Sequence, residues 1–240
     1  MSLELTHHPL TRADGSATFS SNLYTVLVAV NGPVEVQRRD ELPEEAAIEV
    51  NIRPFSGVGG PRERCLEENF ASLLRSLLLV HMHPRTLVQI TLQVTKEPSL
   101  RIKQAFKDVA LVPVLANAAF LALVDGALPL EKTMTACLGL ISNEDEVVVD
   151  PAEKDLVSCK SVHTMVYSSQ GEMLHNQSAG VFYVKQWKEV AARLKEIAMS
   201  AIAQAGEDES MVNGASEMTP WLRQALEENV ERAGAWREGG

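Results

Sequence analysis

Apolar and polar residues alternate along 48–52, where Ile48, Val50 and Ile52 are separated by Glu49 and Asn51. They alternate again along 88–95, where Val88, Ile90, Leu92 and Val94 are interleaved with Gln89, Thr91, Gln93 and Thr95. A period of two predicts strands, each sheet having one covered face. Further strands are predicted at 23–30, 133–141, 146–149, 160–167 and around 173–175. Elsewhere the period lengthens to three and four. Residues 62–80 place Leu66, Phe70, Leu73, Leu74 and Leu77 on one stripe, and residues 179–204 do the same with Val184, Trp187, Val190, Leu194, Ile197 and Ala201, so both read as amphipathic helices. Residues 114–124 are apolar all round, which predicts a helix buried on every side and beginning after Pro113. The order of strands, helix, strand, buried helix, strands and long helix is α+β rather than regular βαβ, with mixed sheets packed on helices. This domain is expected to occupy 1–204.

Beyond it, residues 205–218 are small and acidic and read as a flexible linker. Residues 219–240 then carry a helix signal. Thr219 is placed to cap it and Pro220 stands at its first position, followed by an apolar stripe of Trp221, Leu222, Ala225, Leu226 and Val230. An appended amphipathic helix of this kind needs a surface to bury against, on its own domain or on a partner.

Charge sharpens the division. The chain has 22 basic and 32 acidic side chains, a net of −10. Residues 205–240 contribute eight acids and three bases, or −5, leaving −5 for the first 204. That balance argues against a free-standing, high-affinity nucleic-acid binder, since such proteins usually carry a basic footprint to displace counterions. Aromatics at 5% leave little for a base-stacking platform. Cys65, Cys137 and Cys159 are too few and too dispersed for a disulfide framework or a structural zinc site, and are expected to be buried small hydrophobes in a reducing compartment. The N-terminus has neither a basic region nor an apolar core of a leader, and no uninterrupted apolar run reaches about 18 residues. The expectation is a chain that is neither secreted nor membrane-spanning.

Several motifs recur in an informative order: Arg12-x-Asp14-Gly15-Ser16-Ala17, Thr25-Val26, Gly32-Pro33, Arg53-Pro54, Glu68 and Arg75 within a helix, His83-Pro84-Arg85, and the run from Asn117 to Asp125 followed by Leu128-Pro129. Together these resemble the RNase PH family over residues 9–204. The resemblance implies that family's fold, which is also that of ribosomal protein S5 domain 2. Within the family it points to the non-catalytic ring subunits of the eukaryotic RNA exosome. It therefore implies heterodimers closing a hexameric ring with other RNase PH-like subunits, S1/KH cap subunits above, RNA threading the central channel, no cofactor, and a location in nucleus, nucleolus and cytoplasm.

The departures point the same way. Active members of the family bind phosphate through a Gly-Thr-Arg or Gly-Ser-Arg motif before the buried helix, and here those positions fall at about Ala110, Leu111 and Val112. The family's catalytic Asp falls near Ser161. Without an anion fork and an acid, phosphorolysis loses both halves of its chemistry. No catalytic or metal-binding residue is therefore assigned. The alternative is an active phosphate-dependent exoribonuclease with an altered centre around Asp150, Asp155 or His163. For RNA contact the candidates are Arg62, Arg64 and Arg75, drawn from a region whose eight basic residues up to Arg85 are all arginine, the side chain that forks onto phosphate. Equally, they are solvated charges or partners of Glu63, Glu67 and Glu68. His81 and His83 have no third ligand nearby and fit a helix end. Residues 96–112, with Lys96, Arg101, Lys103 and Lys107 against Glu97 and Asp108, exceed the family's usual connection. They cap the core, or face a neighbouring subunit or the ring opening.

Overall fold

The computed structural model describes residues 4–203. The predicted linker 205–218 and helix 219–240 lie outside the described residues. The first sheet contains β1 (Glu4–His7), β2 (Gly15–Ser20), β3 (Thr25–Glu35), β4 (Ala47–Arg53) and β5 (Thr86–Lys96), in the order β1-β2-β3-β5-β4. Its neighbours are antiparallel except β4 and β5, which run parallel and are joined through α1 (Pro61–Arg75). The second sheet contains β6 (Met134–Ser142), β7 (Val147–Val149), β8 (Cys159–Ser168) and β9 (Met173–Gly180), in the order β7-β6-β8-β9 and antiparallel throughout. Between the sheets runs α2 (Gln104–Asp125). A short helix α3 (Glu153–Val157) precedes β8, and α4 (Val184–Ala203) packs on the second sheet. The fold is α+β, as the periodicities predict. Although α2 is long and apolar enough to cross a membrane, its most apolar window is 83% buried between the sheets.

The two sheets differ in how they are covered. Val26, Val28, Val30, Ile90 and Leu92 of the first sheet join the α2 core, following the predicted alternation. In the second sheet β6 and β8 are covered on both faces: Ala136, Leu138, Leu140, Val162 and Val166 pack in the α2 core, while Cys137, Ile141, Met165 and Tyr167 pack with Val190, Leu194 and Ala198 of α4. One-sided coverage, expected for both sheets, holds only for the first.

Three boundaries depart from the periodic reading. Helix α1 stops at Arg75, yet Leu77 and Leu78 stay buried. The chain there pairs with 129–131 instead, through Leu79 N–H to Pro129 O at 3.0 Å and Glu131 N–H to Leu77 O at 2.8 Å. Helical spacing at Leu74, Leu77 and Leu78 thus reflects burial rather than a continued helix. Residues 179 and 180 remain in β9, paired with Val162 and Ser161, so α4 starts at Val184, the first residue of its stripe and five residues after the predicted start. The buried helix begins at Gln104, with Pro113 inside it.

Candidate functional site

A proline in a helix interior has no N–H for the carbonyl four residues back. In α2 that carbonyl is Val109 O, and Thr164 of β8 donates its hydroxyl to it at 2.6 Å. The orphan acceptor is satisfied from the sheet, so the helix passes through Pro113 unbroken. Replacing Thr164 by valine, close in shape but without a donor, is expected to cost about 1–2 kcal/mol of unfolding free energy. Thr164→Ser should keep most of it, as urea titrations of the three proteins would show.

The same continuity decides what Ala110, Leu111 and Val112 can do. A phosphate cradle needs backbone N–H groups left free at a helix N-terminus. Here α2 starts six residues before Ala110, so the N–H groups of 110–112 are spent inside the helix. Their side chains are buried and apolar. Ser161 is fully buried as well, and its hydroxyl is hydrogen-bonded to His163 Nε2 at 2.9 Å. His163 Nδ1 is bonded to Ser178 Oγ at 2.9 Å, and the Phe182 ring stands edge-on to the imidazole with centroids 4.6 Å apart. Burial among these neutral partners pushes the His163 pKa down to about 4, so the ring is uncharged at neutral pH.

Ser161 and His163 pair in register with Ile141 and Gly139, and a Cβ on Gly139 would meet Leu194 and Val190 of α4. These two side chains therefore face α4, whereas Val109 and Leu111 lie on the opposite side of the sheet. The two positions that phosphorolysis requires together do not converge. The alternative acid–base group does not assemble either. Asp155 accepts the Ala152 N–H at 2.9 Å, Asp150 accepts from Asn22 at 3.5 Å, and both ring nitrogens of His163 are taken by serines.

The Asp-Gly-Ser motif proves to be a joint between the first sheet and the C-terminal end of α2. Asp14 accepts the Gly32 N–H at 2.8 Å, while Asp125 accepts the Ser16 N–H at 2.8 Å and pairs with His8 Nδ1 at 2.8 Å. Asn117, buried in mid-helix, donates to Ala136 O and accepts from Ala136 N–H, both at 3.0 Å. Its amide stands in for a neighbouring strand where β7 does not reach. Burial raises the Cys137 thiol pKa to about 12 and that of Cys159 in the same direction. Both behave as core residues, but Cys65 is exposed, against the expectation that all three are buried. His81 lies within a single 3₁₀ turn, Val80–Met82, and His83 caps its end; among the described residues no cluster of three metal-ligating side chains occurs.

The three arginine candidates separate. Arg62 and Arg64 lie in the first turn of α1, and Arg75 closes its last turn, about 20 Å away at 1.5 Å per residue. Arg75 is paired with Glu45 at 2.5 Å. Arg62 is paired with Asp108 of α2 and lies 3.8 Å from Glu63. Arg64 is exposed and makes no ion pair among the described residues. The structure adds neighbours that linear reading did not group. Because β4 and β5 are parallel, Arg53 and Lys96 end at the same side of the sheet as the N-termini of α1 and α2. Phe55, half exposed, stands in the glycine-containing loop between β4 and α1.

The model of the RNase PH 3′ exoribonuclease family, domain 1, matches residues 2–129. Over 170 residues the chain is 33% identical to exosome complex component RRP46 of Saccharomyces cerevisiae, covering 70% of this chain and 75% of that protein. The crystal structure of rice (Oryza sativa) Rrp46 superposes with a TM-score of 0.74 at 28% identity, covering 85% of this chain and 91% of that one. An archaeal exosome core chain shares the fold, with a TM-score of 0.64 at 16% identity over 94% of this chain and 86% of that one.

Proposed function

The chain belongs to the RNase PH family of 3′ exoribonucleases and is similar to its RRP46-type members, and from that premise we propose that it is a catalytically silent subunit of an RNA exosome core ring. One arrangement supports silence above all. The 110–112 segment is buried inside α2 with its N–H groups used, and a neutral Ser161–His163–Ser178 chain stands on the far side of the sheet. At these positions neither an anion fork nor an ionised acid is presented to a substrate. In this reading the subunit pairs with other RNase PH-like subunits in a six-membered ring, S1/KH cap subunits sit above it, and RNA passes through the central channel to nucleases elsewhere. The assembly works in the nucleus and nucleolus and in the cytoplasm. The net acidic charge then fits a subunit that meets mostly protein and touches RNA along one edge.

That edge is the N-terminal turn of α1. Arg64 is free for a backbone phosphate, and Arg62 is available by exchanging Asp108 for one, whereas Arg75 is held by Glu45 at the far end of the helix. Such contacts position RNA without reading its sequence.

The purified chain, alone and within its ring, is to be supplied with RNA, inorganic phosphate and magnesium. No nucleoside diphosphate above the protein-free control is expected. Release that disappears on His163→Ala or Asp155→Ala would instead establish a phosphate-dependent exoribonuclease with an altered centre.

A further inference from the structure

Residues 96–112 are held firmly on one side and carry cations without ion-pair partners among the described residues on the other. Ile102, Phe106 and Val109 enter the core. Glu153 accepts hydrogen bonds from Leu100 N–H and Ser99 Oγ, and Tyr24 donates to Lys107 O at 3.1 Å. The segment therefore caps the core, one of the two roles open to it from sequence. Its other half carries Lys96, Arg101 and Lys103, all exposed, and Lys107, half-buried. None of the four makes an ion pair among the described residues; Lys103 lies over the Phe106 ring at 5.0 Å.

The surrounding acids keep their charge but are turned toward other donors. Glu153 is taken by residues 99 and 100, Asp108 by Arg62 and Gln104, Glu63 by Gly60 N–H, and Asp155 by Ala152 N–H. Among the described residues none of these carboxylates pairs with the segment's cations, which are joined at the same end by Arg53 and Arg64, neither of them ion-paired there. A concentration of unpaired positive charge, in a chain of net charge −10, is relieved by a polyanion that lies across it. The exposed Phe55 beside Arg53 decides between polyanions. An exposed aromatic ring at the same end of the sheet as these cations suits a nucleotide base stacked above a phosphate chain, and offers little to an acidic peptide.

We propose that Lys96, Arg101, Lys103 and Lys107 form a second contact for the single-stranded RNA backbone, adjoining that of Arg62 and Arg64. The inference rests on the reading that RNA passes this end of the molecule, and the test separates the two. Binding of the full chain to a fluorescent oligouridine is followed by anisotropy at several salt concentrations. At about 50 mM salt, Arg101→Glu with Lys103→Glu should weaken binding roughly tenfold or more, and the slope of log affinity against log salt should fall by about 1.4, or about 0.7 for each lost contact. Arg64→Glu should weaken it independently, while Lys185→Glu with Lys188→Glu, exposed on α4, should stay within about twofold of the parent by the same electrostatic argument.

Loss with Arg64→Glu but not with the double variant overturns the second contact and leaves the first standing. No loss with either, or no measurable binding by the parent, overturns both. Displacement of RNA by polyglutamate at equal charge concentration overturns the choice of nucleic acid in favour of an acidic protein partner. Circular dichroism of each variant distinguishes lost contact from lost fold.

Discussion

Gly15→Ala is expected to lower the unfolding free energy by about 4 kcal/mol or more, enough to deplete the folded protein. A Cβ at Gly15 would lie 2.3 Å from Ala122 O, 2.5 Å from Gly126 N and 2.7 Å from Gly126 Cα. All three are backbone atoms at the end of α2, so no side-chain rotation relieves the overlap. To make room, β2 would have to lift from the helix. That movement would break the Ser16 N–H bond to Asp125, the Leu10 N–H bond to Ser16 Oγ and the His8 pair with Asp125. Overpacking in a compliant site costs about 1–3 kcal/mol; here it adds to the loss of buried polar bonds.

Gly57→Ala is the control. Gly57 has φ of +84° but nothing within 4 Å of a Cβ, so only backbone strain of about 1–2 kcal/mol applies. Urea unfolding of both variants should rank Gly15→Ala well below Gly57→Ala. Equal midpoints would show that the joint between β2 and α2 yields easily and that the motif's glycine is not there for close approach.

That joint illustrates what the sequence could reveal. Alternation along 48–52 and 88–95 was sufficient to place β4 and β5, because a half-covered sheet writes its geometry directly into a period of two. The Asp14-Gly15-Ser16 motif was visible as a pattern, but its role was not, since its partners Ala122 and Asp125 lie more than 100 residues away. Pro113 misled for a related reason. Locally it marks a helix start, and only the hydroxyl of Thr164, which bonds to Val109 O across 55 residues of chain, makes it an interior residue. Short β2 carries Gly, Ser, Ala and Thr rather than branched apolar residues, so it had no strand signal beyond Ala17 and Phe19. Among the charged residues, composition could count arginines but not group them. Parallel pairing of β4 with β5 brings Arg53 and Lys96 to the end where α1 and α2 begin, while the length of α1 carries Arg75 away. Likewise Ser161 and Leu111, treated from sequence as one site, are separated by the thickness of a sheet.

Acidification from pH 7 should remove about 3 kcal/mol of stability through His163 alone. Its pKa is near 6.5 when unfolded and about 4 when folded, owing to burial, and each pH unit of that gap is worth about 1.4 kcal/mol. Between those values the unfolded chain binds the extra proton, so stability rises with pH. The contribution is complete above pH 6.5, falls as pH drops toward 4, and changes no further below it. His175, lowered in the same direction by burial, adds to the slope. Glu63 and Asp145 are lowered carboxylates, held down chiefly by Gly60 N–H and by Lys160. Their contribution is present above their ordinary values and is lost only at lower pH, which leaves the window from 6.5 to about 4.5 to the histidines.

His163→Gln keeps a donor and an acceptor between Ser161 and Ser178 but cannot titrate, so its stability should start lower and decline less steeply across that window. A parallel decline in both proteins would show that folding leaves the His163 pKa at its ordinary value. A carboxylate at position 161, as the active family pattern requires, would reverse the effect by favouring the imidazolium beside it. Ser161→Asp is therefore expected to shift the acid loss to lower pH without producing phosphorolysis, because the N–H groups that would hold phosphate remain locked inside α2.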